Sequence, residues 1–211
     1  MYKNARDPIS FLTHLLGAIG GLVLVIFSII YIIVNKGNFI ASVSMLIFFI
    51  SITLLYSASS IYHYIQSNNK YFTFFHKLDH AMIYVLIAGS YTPFCLTYLE
   101  GGKVFISIMW TIAIIGIVGK IFWLNAPRVL YTLLYVLMGW AIVIKFPQFP
   151  SVPTAYISLI TAGGISYTVG AIIYIFKKPN INKYWGFHEL FHLFILLGTI
   201  FHVIANILFI L

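Results

Sequence analysis

Seven apolar stretches take up most of this chain, and each is close to or longer than the ~20 residues that a helix needs to cross about 30 Å of hydrocarbon. With 62% hydrophobic and only 8% charged residues, the sequence excludes a soluble globular protein. The stretches are Phe11–Val34, Phe39–Ile65, Leu78–Leu99, Val104–Leu124, Val129–Phe146, Thr154–Phe176 and Phe187–Leu211. No linker or composition shift divides them. The sequence therefore predicts an all-α polytopic membrane protein, a seven-transmembrane helix bundle in one domain over residues 1–211.

The twelve lysines and arginines predict the orientation of the bundle. If the N-terminus is cytoplasmic, only Lys36, Lys103 and Lys145 lie on the outer side. The nine on the inner side are Lys3, Arg6, Lys70, Lys77, Lys120, Arg128, Lys177, Lys178 and Lys183. This positive-inside bias predicts a cytoplasmic N-terminus and an external C-terminus. Topology and anionic inner-leaflet lipid also account for the net charge of +8, so no nucleic-acid partner is expected.

Histidines and an acid interrupt the apolar pattern near the predicted cytoplasmic surface. His188 and His192 open the last stretch, and their i, i+4 spacing puts them on one helix face, roughly 6 Å apart. Ionisable groups at membrane depth are costly and indicate function. Six polar residues from three stretches share this depth: Ser59, His63, Asp79, His80, His188 and His192. Because the topology came from lysines and arginines alone, this agreement independently favours a shared site.

These residues lie in an ordered set of motifs: Ser59-x-x-x-His63, Lys77-Leu78-Asp79-His80, Gly89-Ser90-Tyr91-Thr92-Pro93 and His188-x-x-x-His192. The set resembles the hemolysin III family, the bacterial branch of the progestin and adiponectin receptor superfamily, which is remotely similar to alkaline ceramidases. The resemblance covers nearly the whole chain and implies seven spans in a bacterial plasma membrane. It also implies a zinc ion (Zn²⁺) held by His63, His188 and His192, with Asp79 and Ser59 beside the metal-bound water.

The chemistry of these residue types agrees with what the resemblance implies. Three imidazole ligands suit zinc and leave a fourth position open, as in catalytic zinc sites. Asp79 would orient the water and pass its proton to a leaving amine, and Ser59 would donate to the developing oxyanion. A single cysteine, Cys95, excludes a site built from several thiolates. The sequence thus favours a zinc-dependent hydrolase of a lipid amide or ester bond, with membrane lipid as its partner.

Two other interpretations of the site stay open at this point. His188 to His192 also matches the H-E-x-x-H pattern of zinc metalloproteases, in which Glu189 would be the base and Asp79 a ligand. Against this interpretation, little chain follows His192 to supply the later acidic ligand. The pair His76 and His80, also spaced i, i+4, is a rival metal site. In addition, Asp79 lies at the start of the third stretch, where the helix dipole alone would favour an acid even without a metal site.

Three further residues are assigned supporting positions. We expect these residues to support the site from behind the ligands. They are His80, beside Asp79, His14, near the cytoplasmic end of the first stretch, and Glu189, if it is not the base. His202 lies ten residues past His192, about 15 Å deeper along a helix, which is too far to bind the same ion. We expect it to line a cavity or to bond to another helix.

Two functions compete with the hydrolase. One is a sensor or regulator of membrane homeostasis without catalysis, in which zinc is structural. The other is a cytolysin that perturbs membranes, although no stretch has the repeating polar face of a dedicated pore. The sequence leaves the lipid and the oligomeric state open.

Overall fold

Seven long helices build the structure, a computed structural model that describes residues 4–35, 37–182 and 184–211. The helices are α1 (Pro8–Val34), α2 (Phe39–Tyr64), α3 (Phe72–Tyr98), α4 (Gly102–Phe122), α5 (Arg128–Gly139), α6 (Thr154–Phe176) and α7 (Phe187–Phe209). A 3₁₀ helix (Ala141–Ser151) follows α5, and the described residues contain no strand. All seven helical segments are long and apolar enough to cross a membrane. The predicted fold class is confirmed. Lys3, Lys36 and Lys183, which contributed to the predicted orientation, lie outside the described residues.

The third helix begins earlier than its hydropathy predicts. It starts at Phe72 rather than Leu78, because an apolar run marks only the part of a helix that lies in hydrocarbon. The more polar segment before Leu78 continues the same helix towards the membrane surface. Asp79 therefore lies about two turns inside α3, not at its N-terminus. The helix dipole does not explain this acid, and that interpretation was wrong.

The fifth span changes its helical form partway. The α-helix ends at Gly139, and the span continues as a 3₁₀ helix. Tyr91 of α3 covers the junction, since its hydroxyl donates to the Met138 carbonyl (2.8 Å) and accepts from the Ile142 N–H (3.3 Å). Backbone N–H and C=O groups that lose their α-helical hydrogen bonds inside a membrane need such partners. The apolar run over Arg128–Lys145 is still long enough to cross the bilayer.

Small residues let the helices around the site approach closely. Along the chain α1 packs on α2, α2 on α3, α3 on α4 and α6 on α7, and α7 also contacts α1 and α3. At Gly17 of α1, an added Cβ would lie 2.8 Å from Cγ of Tyr56 in α2, so only glycine permits this packing. The starts of α1 and α7 and the end of α2 consequently meet at one end of the bundle.

Candidate metal centre

Three imidazoles converge where α2 and α7 meet. His63 lies in the last turn of α2, and His188 and His192 lie in the first two turns of α7. Nε2 of His188 is 3.5 Å from Nε2 of His63 and 3.1 Å from Nε2 of His192. His63 and His192 are each only 2% exposed. Within the described part of the chain, these three residues form the group of His, Cys, Asp or Glu side chains that can hold a metal ion.

Two separations among the three nitrogens fit zinc. Imidazole nitrogens lie about 2.0–2.1 Å from zinc, so two of them on a tetrahedral ion are separated by about 3.3 Å. The two separations in the structure, 3.5 Å and 3.1 Å, lie on either side of that value. Three neutral nitrogen ligands also suit zinc better than magnesium or calcium, which prefer oxygen.

An acid near the N-terminus determines which ring nitrogen of neutral His63 carries the proton. Nδ1 of His63 lies 2.8 Å from Oδ2 of Asp7. An ionised carboxylate only accepts hydrogen bonds, so Nδ1 must carry the proton and the Nε2 of neutral His63 presents a lone pair. That lone pair points at the other two imidazoles. A carboxylate–histidine pair of this kind orients and strengthens a metal ligand.

The chain holds Asp7 in place from several sides. The Asp7 backbone N–H donates to the His63 carbonyl (3.0 Å), which pins the N-terminal segment to the end of α2. Nε and Nη2 of Arg6 donate to Asp7 Oδ2 at 2.9 Å and 2.7 Å. Burial alone would raise the pKa of Asp7, but the hydrogen bonds from His63 and Arg6 outweigh it and lower the pKa to about 2. Asp7 is therefore ionised at neutral pH.

Sequence reasoning missed Asp7. The chain has only four acidic residues, and Asp7 stands directly before Pro8, where α1 begins, and four residues before the first apolar stretch. An acid so close to the hydrocarbon boundary was a signal that it has a partner. Its partner, however, lies 56 residues away and is reached only through the fold.

Replacing Asp7 by asparagine should weaken metal binding without abolishing it. Asparagine keeps the size of the side chain but loses the charge that holds the Nδ1 proton of His63, and changes of this kind typically reduce metal affinity by about 10- to 100-fold. Zinc affinity measured by competition with a chelator would detect the change. Glu100→Gln, at an exposed acid of the chain, is the matched control and should retain full affinity. Equal affinities in both variants would contradict the role of Asp7.

A cavity of about 440 Å³ opens beside the histidines. His188 and His192 line it, whereas His63 lies behind them and outside the lining. Asp79 and Ser59 face the same space from α3 and α2. The remaining walls are mainly apolar. Aromatic rings of Tyr174 and Phe191 contact His188, and the aliphatic lining residues include Leu55, Ile83, Leu86, Ile87 and Ile195.

Asp79 and Ser59 form a pair on the cavity wall. The Ser59 hydroxyl lies close enough to the Asp79 carboxylate to stabilise its charge, and Ser59 is only 1% exposed. His63, His80 and His14 are close enough to Asp79 to interact with its charge. The structure thus brings the predicted acid and hydroxyl to the same cavity as His188 and His192.

His14 and His80 also line the cavity. The His14 ring stacks on His192 with a centroid distance of 3.7 Å and contacts Tyr56 edge-on at 4.9 Å. Neither nitrogen of His14 has a hydrogen-bond partner within the ranges the structure describes. His80 lines the cavity, and its Nδ1 bonds to the His76 carbonyl at 3.0 Å.

The rival sites find less support. His76 stacks on Tyr62 with a centroid distance of 4.8 Å, and it joins no group of three possible ligands among the described residues. Glu189 lies outside the cavity lining. Its Oε2 accepts from the Gly186 N–H (3.0 Å) and its Oε1 from the Ser10 hydroxyl (3.3 Å). Both oxygens are thus engaged in capping α7 and in linking it to α1.

Comparisons with known proteins agree with this architecture. The family model described as "Haemolysin-III related" matches residues 2–203. A "Hemolysin-3 homolog" of Bacillus subtilis (strain 168) is 39% identical over 202 residues, covering 94% of this chain and 92% of that protein. "Hemolysin-3" of Bacillus cereus is 39% identical over 191 residues, covering 89% of this chain and 84% of that protein.

A plant protein is more distantly similar to this chain. "Heptahelical transmembrane protein 3" of Arabidopsis thaliana is 29% identical over 178 residues, covering 72% of this chain and 50% of that protein. The family match and the Bacillus identities are consistent with membership of the progestin and adiponectin receptor superfamily. On the whole-chain family match, the Bacillus identities and the seven apolar helices, the chain belongs to the hemolysin III family and is a multi-pass protein of the bacterial membrane.

Proposed function

We propose that this protein is a zinc-dependent hydrolase that cleaves an amide or ester bond of a membrane lipid. One observation carries the proposal: two of the three converging histidines, the acid Asp79 and the hydroxyl of Ser59 all line a single cavity. Its volume of about 440 Å³ lies in the range of small-ligand sites, about 300–1,000 Å³. A metal with a purely structural role would need neither the cavity nor the acid.

His63, His188 and His192 would hold the ion, with His63 oriented by Asp7. When bound, zinc would lower the pKa of a coordinated water from about 15.7 to about 7 and so supply a nucleophile at neutral pH. The apolar wall would accept the acyl chain and place the scissile carbonyl at the polar end of the cavity.

Asp79 would serve as the proton carrier. One carboxylate oxygen takes the proton that the nucleophile loses, and then gives it to the nitrogen or oxygen of the leaving group as the carbonyl bond to that atom breaks. Ser59 lies beside Asp79, so we propose that its hydroxyl orients this carboxylate rather than serving the oxyanion. His14 stacks on His192 and would hold the imidazole ring of that ligand in its orientation.

A sensor with structural zinc and a cytolysin remain the competing functions, and turnover distinguishes both from a hydrolase. Purified protein loaded with zinc is incubated with a short-chain ceramide and a short-chain diacyl ester lipid, and products are followed by mass spectrometry. Release of fatty acid that stops after chelation and returns with zinc supports the proposal. Zinc-loaded protein that releases none from either class of lipid would contradict it.

We also propose that the site faces the cytoplasmic leaflet, with the N-terminus inside and the C-terminus outside, because of the distribution of lysines and arginines. The chain's single cysteine, Cys95, is fully buried, so a cysteine added at either terminus reports on that terminus alone. In intact cells, an impermeant thiol reagent should label the C-terminal cysteine and not the N-terminal one. The opposite labelling would refute the orientation.

A further inference from the structure

Residues 4–7, which we call the N-terminal latch, close the C-terminal end of α2. The last carbonyls of an α-helix have no hydrogen-bond partner within the helix. The backbone N–H of Arg6 donates to the Tyr64 carbonyl (3.4 Å), and the backbone N–H of Asp7 donates to the His63 carbonyl (3.0 Å). The latch is therefore docked on the helix end that carries His63.

The side chain of Arg6 ties the latch to two helices. Its guanidinium carbon lies 4.4 Å from the centroid of the Tyr62 ring in α2 and 4.8 Å from that of the Phe72 ring in α3. Nε and Nη2 of the same guanidinium both donate to Asp7 Oδ2. A planar guanidinium can contact rings with its faces while its edge binds a carboxylate, whereas the compact ammonium of lysine has no such fork. Arg6 thus holds Asp7 against a fixed aromatic surface.

The latch is more exposed to solvent than the histidine that it supports. The side chains of Asp7 and Arg6 are 35% and 20% exposed, whereas that of His63 is 2% exposed. Segments with exposed backbone hydrogen bonds and few buried apolar contacts open at a lower free-energy cost than the core of a protein. Opening of the latch would take the Asp7 carboxylate away from Nδ1 of His63 and leave His63 in place.

We propose that Arg6 is a positioning residue for the metal centre, and that docking of the latch and binding of the metal strengthen each other. Arg6 holds Asp7, Asp7 orients His63, and His63 would bind the ion. If the docked latch raises the affinity for zinc by some factor, bound zinc must favour the docked latch by the same factor, because the two equilibria are linked. Displacement of the latch would thus release metal. The inference rests on the metal centre of the proposed function but not on hydrolysis.

The charge of Arg6 acts in the opposite direction to its positioning role. A cation near the centre repels Zn²⁺ and partly neutralises Asp7, so the charge alone would weaken metal binding. Holding Asp7 on His63 strengthens it, because loss of such a carboxylate partner typically reduces metal affinity by about 10- to 100-fold. Water and salt screen an exposed charge such as that of Arg6, so we expect the positioning role to dominate.

Arg6→Lys tests the positioning role at constant charge. Lysine cannot donate twice to Asp7 Oδ2 in the geometry of the guanidinium, so zinc affinity measured by competition with a chelator should fall by about 3- to 10-fold. Arg6→Gln, which also removes the charge, should weaken binding too. Lys70→Gln is the control, because it removes an exposed cation that lies over the Tyr71 ring (4.9 Å) in the loop before α3. It should retain full affinity.

Trypsin measures the same linkage from the side of the latch. It cleaves after lysine and arginine, and cleavage of the bond between Arg6 and Asp7 requires the latch to open, so its rate follows the open population. Saturating zinc should slow this cleavage by about 10-fold in the unaltered protein, by the reciprocity of the coupling. In zinc-saturated Asp7→Asn the slowing should be largely lost. Cleavage after Lys103, in the first turn of α4, is the internal reference for effects of zinc on trypsin itself.

The outcomes separate this inference from the proposed function. Unchanged zinc affinity in Arg6→Lys, or tighter zinc binding by Arg6→Gln, overturns the inference. Cleavage after Arg6 that zinc does not slow overturns it as well, and that measurement needs no variant. A protein whose latch is protected by zinc but that hydrolyses no lipid overturns only the hydrolase. Zinc-dependent hydrolysis with unprotected cleavage after Arg6 overturns only the role of the latch, and a protein that binds no zinc overturns both.

Discussion

Purified His188→Ala and His192→Ala proteins are expected to contain almost no zinc, where the unaltered protein contains about one ion per chain. Their Nε2 atoms lie 3.1 Å apart and within reach of His63, so removing either leaves two ligands where a catalytic-type zinc site needs three. His63→Ala should have the same effect. Elemental analysis of the purified proteins, after dialysis against a weak chelator, measures this directly.

His76→Ala is the matched control for the loss of an imidazole at the same end of the bundle. His76 stacks on Tyr62 and belongs to no group of three possible ligands in the described ranges, so its variant should keep its zinc. Full zinc in the His188 and His192 variants, with loss in His76→Ala, would show that the ion is bound by the rival pair His76 and His80.

The fold was predictable because a helix that spans a bilayer is marked by the hydropathy of consecutive residues, which can be calculated from the sequence without knowledge of tertiary contacts. Seven apolar stretches predicted seven helices, and these were confirmed. The predicted start of α3 at Leu78 was wrong, because the helix begins before the apolar run, at Phe72. The predicted fifth stretch gave no sign of the 3₁₀ segment after Gly139, which depends on a tyrosine from another helix.

The candidate site was accessible to sequence reasoning only in part. The i, i+4 spacing of His188 and His192 is local, and their depth followed from the charged loops. Asp7 was not accessible, because backbone hydrogen bonds to His63 bring it there across 56 residues. Glu189 shows the opposite problem. Its place in an H-E-x-x-H pattern indicated a base, yet its carboxylate caps the helix that carries the histidines.

The extent of the cavity lay beyond sequence reasoning. Its walls come from residues that are far apart in sequence, among them Ile87 of α3, Ile160 of α6 and Ile195 of α7. Each is unremarkable in an apolar helix. Only their packing shows that His202, which sequence reasoning left between two roles, faces the same space as the metal centre.

Asp79→Asn is expected to keep the zinc and to lose at least about 100-fold in the rate of lipid hydrolysis, the lower end of what general acid–base catalysis contributes. Asparagine keeps the size of the side chain and one acceptor oxygen for the Ser59 hydroxyl, but it cannot take up a proton. Glu189→Gln is the matched amide substitution on the acid that follows His188 in α7. Glutamine serves as well as glutamate at this position of a capping box, so α7 should begin normally and turnover should change little.

The two amide variants together decide between the two assignments of the acids. Turnover of a short-chain amide lipid and zinc content are measured on the same preparations, so loss of metal is not mistaken for loss of chemistry. If Glu189→Gln abolishes turnover while Asp79→Asn strips the zinc, then Glu189 is the base and Asp79 a ligand, as in a metalloprotease. The structure favours the first assignment, because Asp79 faces the cavity and Glu189 points away from it, with both of its oxygens engaged in bonds to Gly186 and Ser10.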